Sequence, residues 1–210
     1  EIPAPANDDL IIRIGDGISQ REGGKFYATS DGIPLIEAEA ISLTKVLLHN
    51  GDVNLRTGNI RFDGPVEIKG SIDNGAIVEV TGDLLVHGTI RGADVRAGGT
   101  ITVKAGITTG STGKVQARGD LNAEFIENSK IVCGGNLSIQ KALLNCDVIV
   151  GGNLKVLSKG GVVAGGRIIC KDSLYTFNLG FKRGAVTVLN VGVNWRAARA
   201  VDIRKVRLEN

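Results

Sequence analysis

Methionine is absent from this chain of 210 residues, and aromatic side chains make up only 4% of it. The missing initiator is what a segment excised from a longer protein would show. So few aromatic rings leave little to stack on bases, and no Lys/Arg run is dense, so a nucleic-acid partner is not expected. Cys133, Cys146 and Cys170 are odd in number and form no C-x-x-C pair. That excludes a disulfide framework and suits a reducing, cytoplasmic setting. Only two histidines, His49 and His87, are available for metal binding or general-base chemistry, and no metal or cofactor is expected. No apolar run approaches about 18 residues and no signal-like N-terminus precedes the first strands, so no membrane span is expected.

What the chain has is glycine. Its 30 glycines are roughly twice the average share, and Val, Ile and Leu are abundant. Many short strands joined by tight turns have this composition; helical bundles do not. Charge is unevenly spread. Residues 1–100 carry 9 Lys/Arg against 15 Asp/Glu, whereas residues 101–210 carry 16 against 7. Such polarity would steer an acidic partner to the C-terminal half. Plain solvation of an elongated surface is the simpler account.

One short pattern recurs: a small apolar residue, any residue, Gly, a polar residue, then Leu, Ile or Val. It reads Val80-Thr81-Gly82-Asp83-Leu84, Ala97-Gly98-Gly99-Thr100-Ile101 and Ala117-Arg118-Gly119-Asp120-Leu121. It continues as Cys133-Gly134-Gly135-Asn136-Leu137, Val150-Gly151-Gly152-Asn153-Leu154 and Ala164-Gly165-Gly166-Arg167-Ile168. Weaker copies stand at Gly51-Asp52-Val53 and Gly64-Pro65-Val66. Apolar residues alternate with period two on both sides, as in Val78/Val80 before a turn and Leu84/Val86 after it, which marks strands with one buried face. A further apolar residue (Ile72, Ile90, Ile107, Ile126, Leu143) falls between them. The glycine is expected to supply positive φ at the corner.

Together these features predict an all-β fold, a parallel β-helix of roughly eight short coils, each completing its core only by stacking on its neighbours. Val66, Ile72, Val78, Leu84 and Ile90 are spaced by six, as in a left-handed hexapeptide helix. That register fails at Arg96, and later glycine spacings of 14, 16 and 17 are too short for three hexads. A right-handed coil is therefore expected. The β-helix is placed at 51–172. A small β-rich N-terminal cap is expected over 1–50, and C-terminal capping strands with the start of a helix from Trp195 over 173–210.

Chemistry-bearing constellations are weak. His87 stands at a coil corner and reads as a surface residue. Gly106–Lys114 lacks phosphate-loop spacing. Asp52, Asp83 and Asp120 read as turn formers, and Cys133 and Cys170 as small buried hydrophobes, Cys170 in the place of Val86 and Val103. The residue between the paired inward positions before each turn should face outward. It is Glu79, Arg96 and Gln116 in earlier coils, then Val132, Ile149 and Val163. Such an outward apolar ladder requires a cover: the chain's own C-terminal segment, a protein partner or a second copy. A register off by one is the remaining account. Val132, Ile149 and Val163, with the basic Arg96 and Lys155, form the candidate protein-binding site.

Gly51-Asp52-Val53, Thr57-Gly58-Asn59-Ile60-Arg61-Phe62-Asp63-Gly64 and Val66-Glu67-Ile68-Lys69-Gly70 precede the run of Gly-Gly-Asn-Leu and Gly-Asp-Leu turns. With Phe125-Ile126-Glu127-Asn128-Ser129, this stretch resembles the bacterial flagellar assembly protein A family over about two-thirds of the chain. The resemblance implies a cytoplasmic β-helical protein linked to flagellar assembly and polar placement, with no catalytic motif. The expected function is thus a non-enzymatic scaffold or regulatory module that binds a cytosolic signalling or flagellar protein. A β-helix acyltransferase or carbohydrate-active enzyme is one alternative. A self-assembling cytoskeletal scaffold, and hence a homo-oligomer, is the other.

Overall fold

The computed structural model describes residues 13–21, 25–29, 33–37, 40–182 and 184–193. The chain divides into two units, Glu1–Val46 and Leu47–Asn210. In the first, Ala40–Thr44 pairs in parallel with Arg13–Ile14 and antiparallel with Ile33–Glu37, and Ile18–Arg21 forms a hairpin with Lys25–Ala28. The expected helix from Trp195 lies outside the described residues, and none of those described is helical.

The second unit is a parallel β-solenoid. Its eight coils open at Leu47, Val66, Leu84, Ile101, Leu121, Leu137, Leu154 and Leu174, each residue paired in register with the next along the stack. Coil length therefore varies between 16 and 20 residues. Each coil has three faces. The first starts at the opening residue, as in Leu84–Val86 and Ile101–Val103. The second carries the column Val53, Ile72, Ile90, Ile107, Ile126, Leu143, Val163 and Leu179. The third carries two inward columns, for example Val78, Val95 and Val115 beside Val80, Ala97 and Ala117. These inward columns make one continuous aliphatic core. Because every coil repeats the same inward positions, a buried residue stacks on its equivalents above and below, and no coil has a core alone.

The corner before each opening residue shows what the repeated motif does. Asp83 Oδ1 accepts the backbone N–H of Thr100 in the next coil at 2.6 Å, and Asp120 Oδ1 that of Asn136 at 2.7 Å. Asn136 Oδ1 accepts from Asn153 N and Nδ2, both at 3.0 Å, and Ser173 Oγ donates to Asn153 Oδ1 at 2.6 Å. The polar residue of one coil thus caps the corner of the next. The glycine is required for room: a Cβ at Gly99 would lie 2.0 Å from Asp83 Oδ1, and one at Gly135 2.1 Å from Asp120 Oδ1. Positive φ, expected here, occurs at this corner only at Gly64. Left-handed residues instead turn the corner between the second and third faces, at Gly75, Gly92, Gly110, Asn128, Asn145 and Gly165.

Two expected repeat copies belong to other corners. Gly51-Asp52-Val53 leads into the second face, since Val53 bridges Ile72; Asp52 Oδ1 accepts Ser71 N at 2.7 Å there and is not equivalent to Asp83 and Asp120. Gly165-Gly166 turns within the strand Val162–Cys170, where both glycines have positive φ, and joins the second face to the third. Consequently Cys170 pairs with Val150 and continues the column of Val80, Ala97 and Cys133 rather than that of Val86 and Val103. The solenoid starts at Leu47, four residues before the expected 51. It continues beyond 172 through a full eighth coil, because Leu174–Tyr175, Asn178–Leu179 and Thr187–Val191 each stack on coil 7.

Asp120→Ala leaves Asn136 N–H without its partner at the corner and should lower stability by roughly 1–3 kcal/mol in urea denaturation. Gly135→Ala, which adds a methyl group against the same carboxylate, should cost at least as much. Asp120→Asn should be the mildest change, as Asn already fills this place at 136 and 153.

Candidate functional site

The outer face of the third strand carries a row of residues running the length of the solenoid: Arg61, Glu79, Arg96, Gln116, Val132, Ile149, Ile169 and Asn190. At its N-terminal end the row is charged and paired. Glu79 accepts from Arg61 Nε through one carboxylate oxygen and from Arg96 through the other, both at 3.0 Å. Exposed pairs of this kind add little stability individually, yet they hold three successive coils' side chains in a fixed order. At the C-terminal end the row turns apolar. Val132, Ile149 and Ile169 form a small cluster outside the central core, with 6%, 6% and 1% exposure. Their outward positions are thus covered within this one chain. The expected cover is the chain's own C-terminal segment, placed at 173–210, which lies outside the described residues from 194 onward.

Beside the row runs a groove lined by Thr81, Arg96, Gly98, Gln116, Arg118 and Val132. Its floor is low because Gly98 and Gly134 alternate with larger residues, and a Cβ at either glycine would meet a backbone carbonyl of the coil before it at 2.1 Å.

The five residues singled out from sequence are only partly brought together. Arg96, Val132 and Ile149 share the row. Val163 does not: it is fully buried in the second-face core column between Leu143 and Leu179. The shift follows from the strand Val162–Cys170, whose two glycines move Ile169, not Val163, to the outward place after Ile149. Lys155 projects from the first face, between Ser138 and Tyr175, and belongs to a different surface. Ile169 was not singled out; its signal was the alternation Ile168/Cys170, read one face too late.

Several titratable groups of the coils are paired with one another. His87 Nε2 lies 2.8 Å from Glu67 Oε1, and Lys69 donates to the same oxygen. Hydrogen bonds from Lys69 and then His87 hold Glu67 below the usual carboxylate range. His49, on the first coil, lies 3.4 Å from the Asp52 carbonyl oxygen. The two histidines are thus separate, and among the described residues no group of three His, Cys, Asp or Glu side chains could hold a metal ion. All three cysteines are buried free thiols. Loss of solvation pushes Cys133 up to about 12 and Cys146 to about 11, and raises Cys170 as well.

A stack of parallel coils with patterned outer rows defines a β-solenoid. No helix among the described residues is long and apolar enough to cross a membrane. The model of the Flagellar Assembly Protein A beta solenoid domain matches residues 45–208, and the chain belongs to that family. No curated protein and no solved structure matches it. The matched stretch opens two residues before the first coil.

Two measurements test the site. Ile149→Asp, a charge placed in the covered cluster, should cost about 3 kcal/mol in urea denaturation, whereas Gln116→Asp in the same row should change stability by less than about 0.5 kcal/mol. The folded thiols titrate above the ordinary value of 9.0, so the folded state is favoured fully below that value. Stability should fall as pH rises from about 9 towards 11, and the fall should be smaller in Cys133→Ala. At pH 8 a thiol reagent should label the native chain far more slowly than the unfolded one.

Proposed function

We propose that this flagellar assembly-related solenoid acts as a non-enzymatic scaffold, presenting its outer rows to a cytosolic protein, either a signalling component or a part of the flagellar machinery, at the cell pole. The observation that carries the proposal is the in-register row from Arg61 to Gln116. It places charged and polar side chains in fixed order along four coils, on a core that cannot shift one coil without its neighbours. A rigid surface of this kind lowers the ordering cost of association. The groove beside Arg96, Gln116 and Arg118 adds hydrogen-bond donors along the same side. Enzymes work by converging titratable groups on a substrate. Here the candidate groups, Glu67 with His87 and Glu79 with Arg96, are paired along open faces.

The test is genetic and biochemical. Removal of the gene from a flagellated bacterium should reduce or misplace flagella, and a fluorescent fusion should collect at the pole. The purified chain should co-elute in fixed stoichiometry with one flagellar or signalling protein on size exclusion. Normal flagella after removal, or turnover of an acyl donor or polysaccharide by the chain, would overturn the proposal.

A further inference from the structure

The eighth coil is an end coil that differs from the first. Like those of the first coil, its strands are paired on one side only among the described residues: Leu174–Tyr175 with coil 7, and likewise Asn178–Leu179 and Thr187–Val191. Two of its inward columns end in the open, with Leu179 54% and Val191 42% exposed although their partners Val163 and Cys170 are fully buried, whereas Leu174 and Leu189 stay packed against the core. It also gathers exposed aromatic rings in a chain poor in them. Tyr175 and Phe177 meet edge to face at 5.7 Å, and Phe181 follows, also exposed.

Charge distinguishes this end as well. Between Leu154 and Val193 the sequence has six Lys and Arg residues and one acid, Asp172, and that acid lies 3.7 Å from Lys171. Lys155 is the neighbour of Tyr175 on the first face. Lys155, Lys159 and Lys182 have no ion-pair partner among the described residues.

We infer that the eighth coil is a strand-addition site for an acidic, extended protein segment of alternating apolar residues. The inference rests on the scaffold proposal and names the class of partner. Unpaired strand edges offer alternating N–H and C=O groups that only another peptide backbone can match along their length. The open ends of the Leu179 and Val191 columns receive the segment's apolar side chains, and Lys155, Lys159 and Lys182 receive its carboxylates. Charge selects among occupants. A second copy docking through this same basic end would set like charges together. The chain's own residues 194–210 hold five Arg and Lys against two acids and lack the complementary sign. A lipid surface or a nucleic acid would satisfy the lysines but not the strand edges.

The test uses the full chain and a fluorescein-labelled twelve-residue peptide of alternating valine and glutamate, followed by anisotropy. Binding is expected, weakening as salt rises. A peptide with central prolines, or with lysine for glutamate, should bind at least about tenfold more weakly. The chain variant carrying Lys155→Glu, Lys159→Glu and Lys182→Glu should lose a similar factor while its melting temperature stays unchanged. Tyr175→Ala with Phe177→Ala provides a second, charge-neutral loss. Absence of peptide binding, equal binding of acidic and basic peptides, indifference to proline, or tighter binding to phosphatidylglycerol vesicles or an oligo-dT strand would overturn the inference. If the triple variant still co-elutes with the protein captured by the native chain, the scaffold proposal stands and this site is excluded.

Discussion

Parallel strands stacked in register bring equivalent residues of successive coils to within about 4.8 Å of one another, and nearly every other feature of the solenoid follows from that spacing. At such a distance an aliphatic residue has its counterpart as a packing neighbour, so the column Ile72–Ile90–Ile107–Ile126–Leu143–Val163 is a single object spread over six coils. The same closeness lets Asp120 and Asn136 reach the next coil's backbone, and it forbids a Cβ at Gly99 or Gly135. The motif that looks like a turn signal is an inter-coil bond with the space it needs.

The outer surface inherits this order. A row such as Arg61–Glu79–Arg96–Gln116–Val132–Ile149–Ile169 is fixed by the same pairing that fixes the core, so its pattern cannot drift as a loop surface would. The row passes from paired charge to covered apolar contact along the stack, while the eighth coil carries exposed rings, lysines and strands paired on one side only among the described residues. A molecule built this way is differentiated along its axis.

Much of this was legible in the sequence. Period-two alternation around Gly-polar-Leu identified the strands of coils 3 to 7 and the buried columns, and the intermediate Ile72, Ile90, Ile107, Ile126 and Leu143 were placed correctly between them, on what is the second of the three faces. The errors cluster where two corners share one chemistry. Gly165-Gly166-Arg167-Ile168 and Gly152-Asn153-Leu154 have nearly the same pattern, but the first turns with positive φ and the second does not. Reading them alike moved Cys170 to the wrong column and Val163 to the outside. At the two ends the motif is absent: Leu47 and Leu174 open coils without a preceding Gly-Gly, because the terminal corners carry other residues. The outward row was anticipated through Val132 and Ile149; Ile169 was hidden by the same shift.

The sequence by itself determined that the chain coils, because short alternating apolar strands recur around the same Gly-polar-Leu turn at intervals of 13 to 20 residues and each needs its equivalents to complete a core. It also determined where the corners before the first face fall in the regular coils, and the uneven charge. Which residue stacks on which was decided only by the tertiary structure. Register along a stack depends on how many residues each corner absorbs, and Gly and Asn turn a corner of either kind. For that reason the core was readable residue by residue in the regular coils, while the covered cluster of Val132, Ile149 and Ile169 and the open eighth coil emerged only once the coils were aligned.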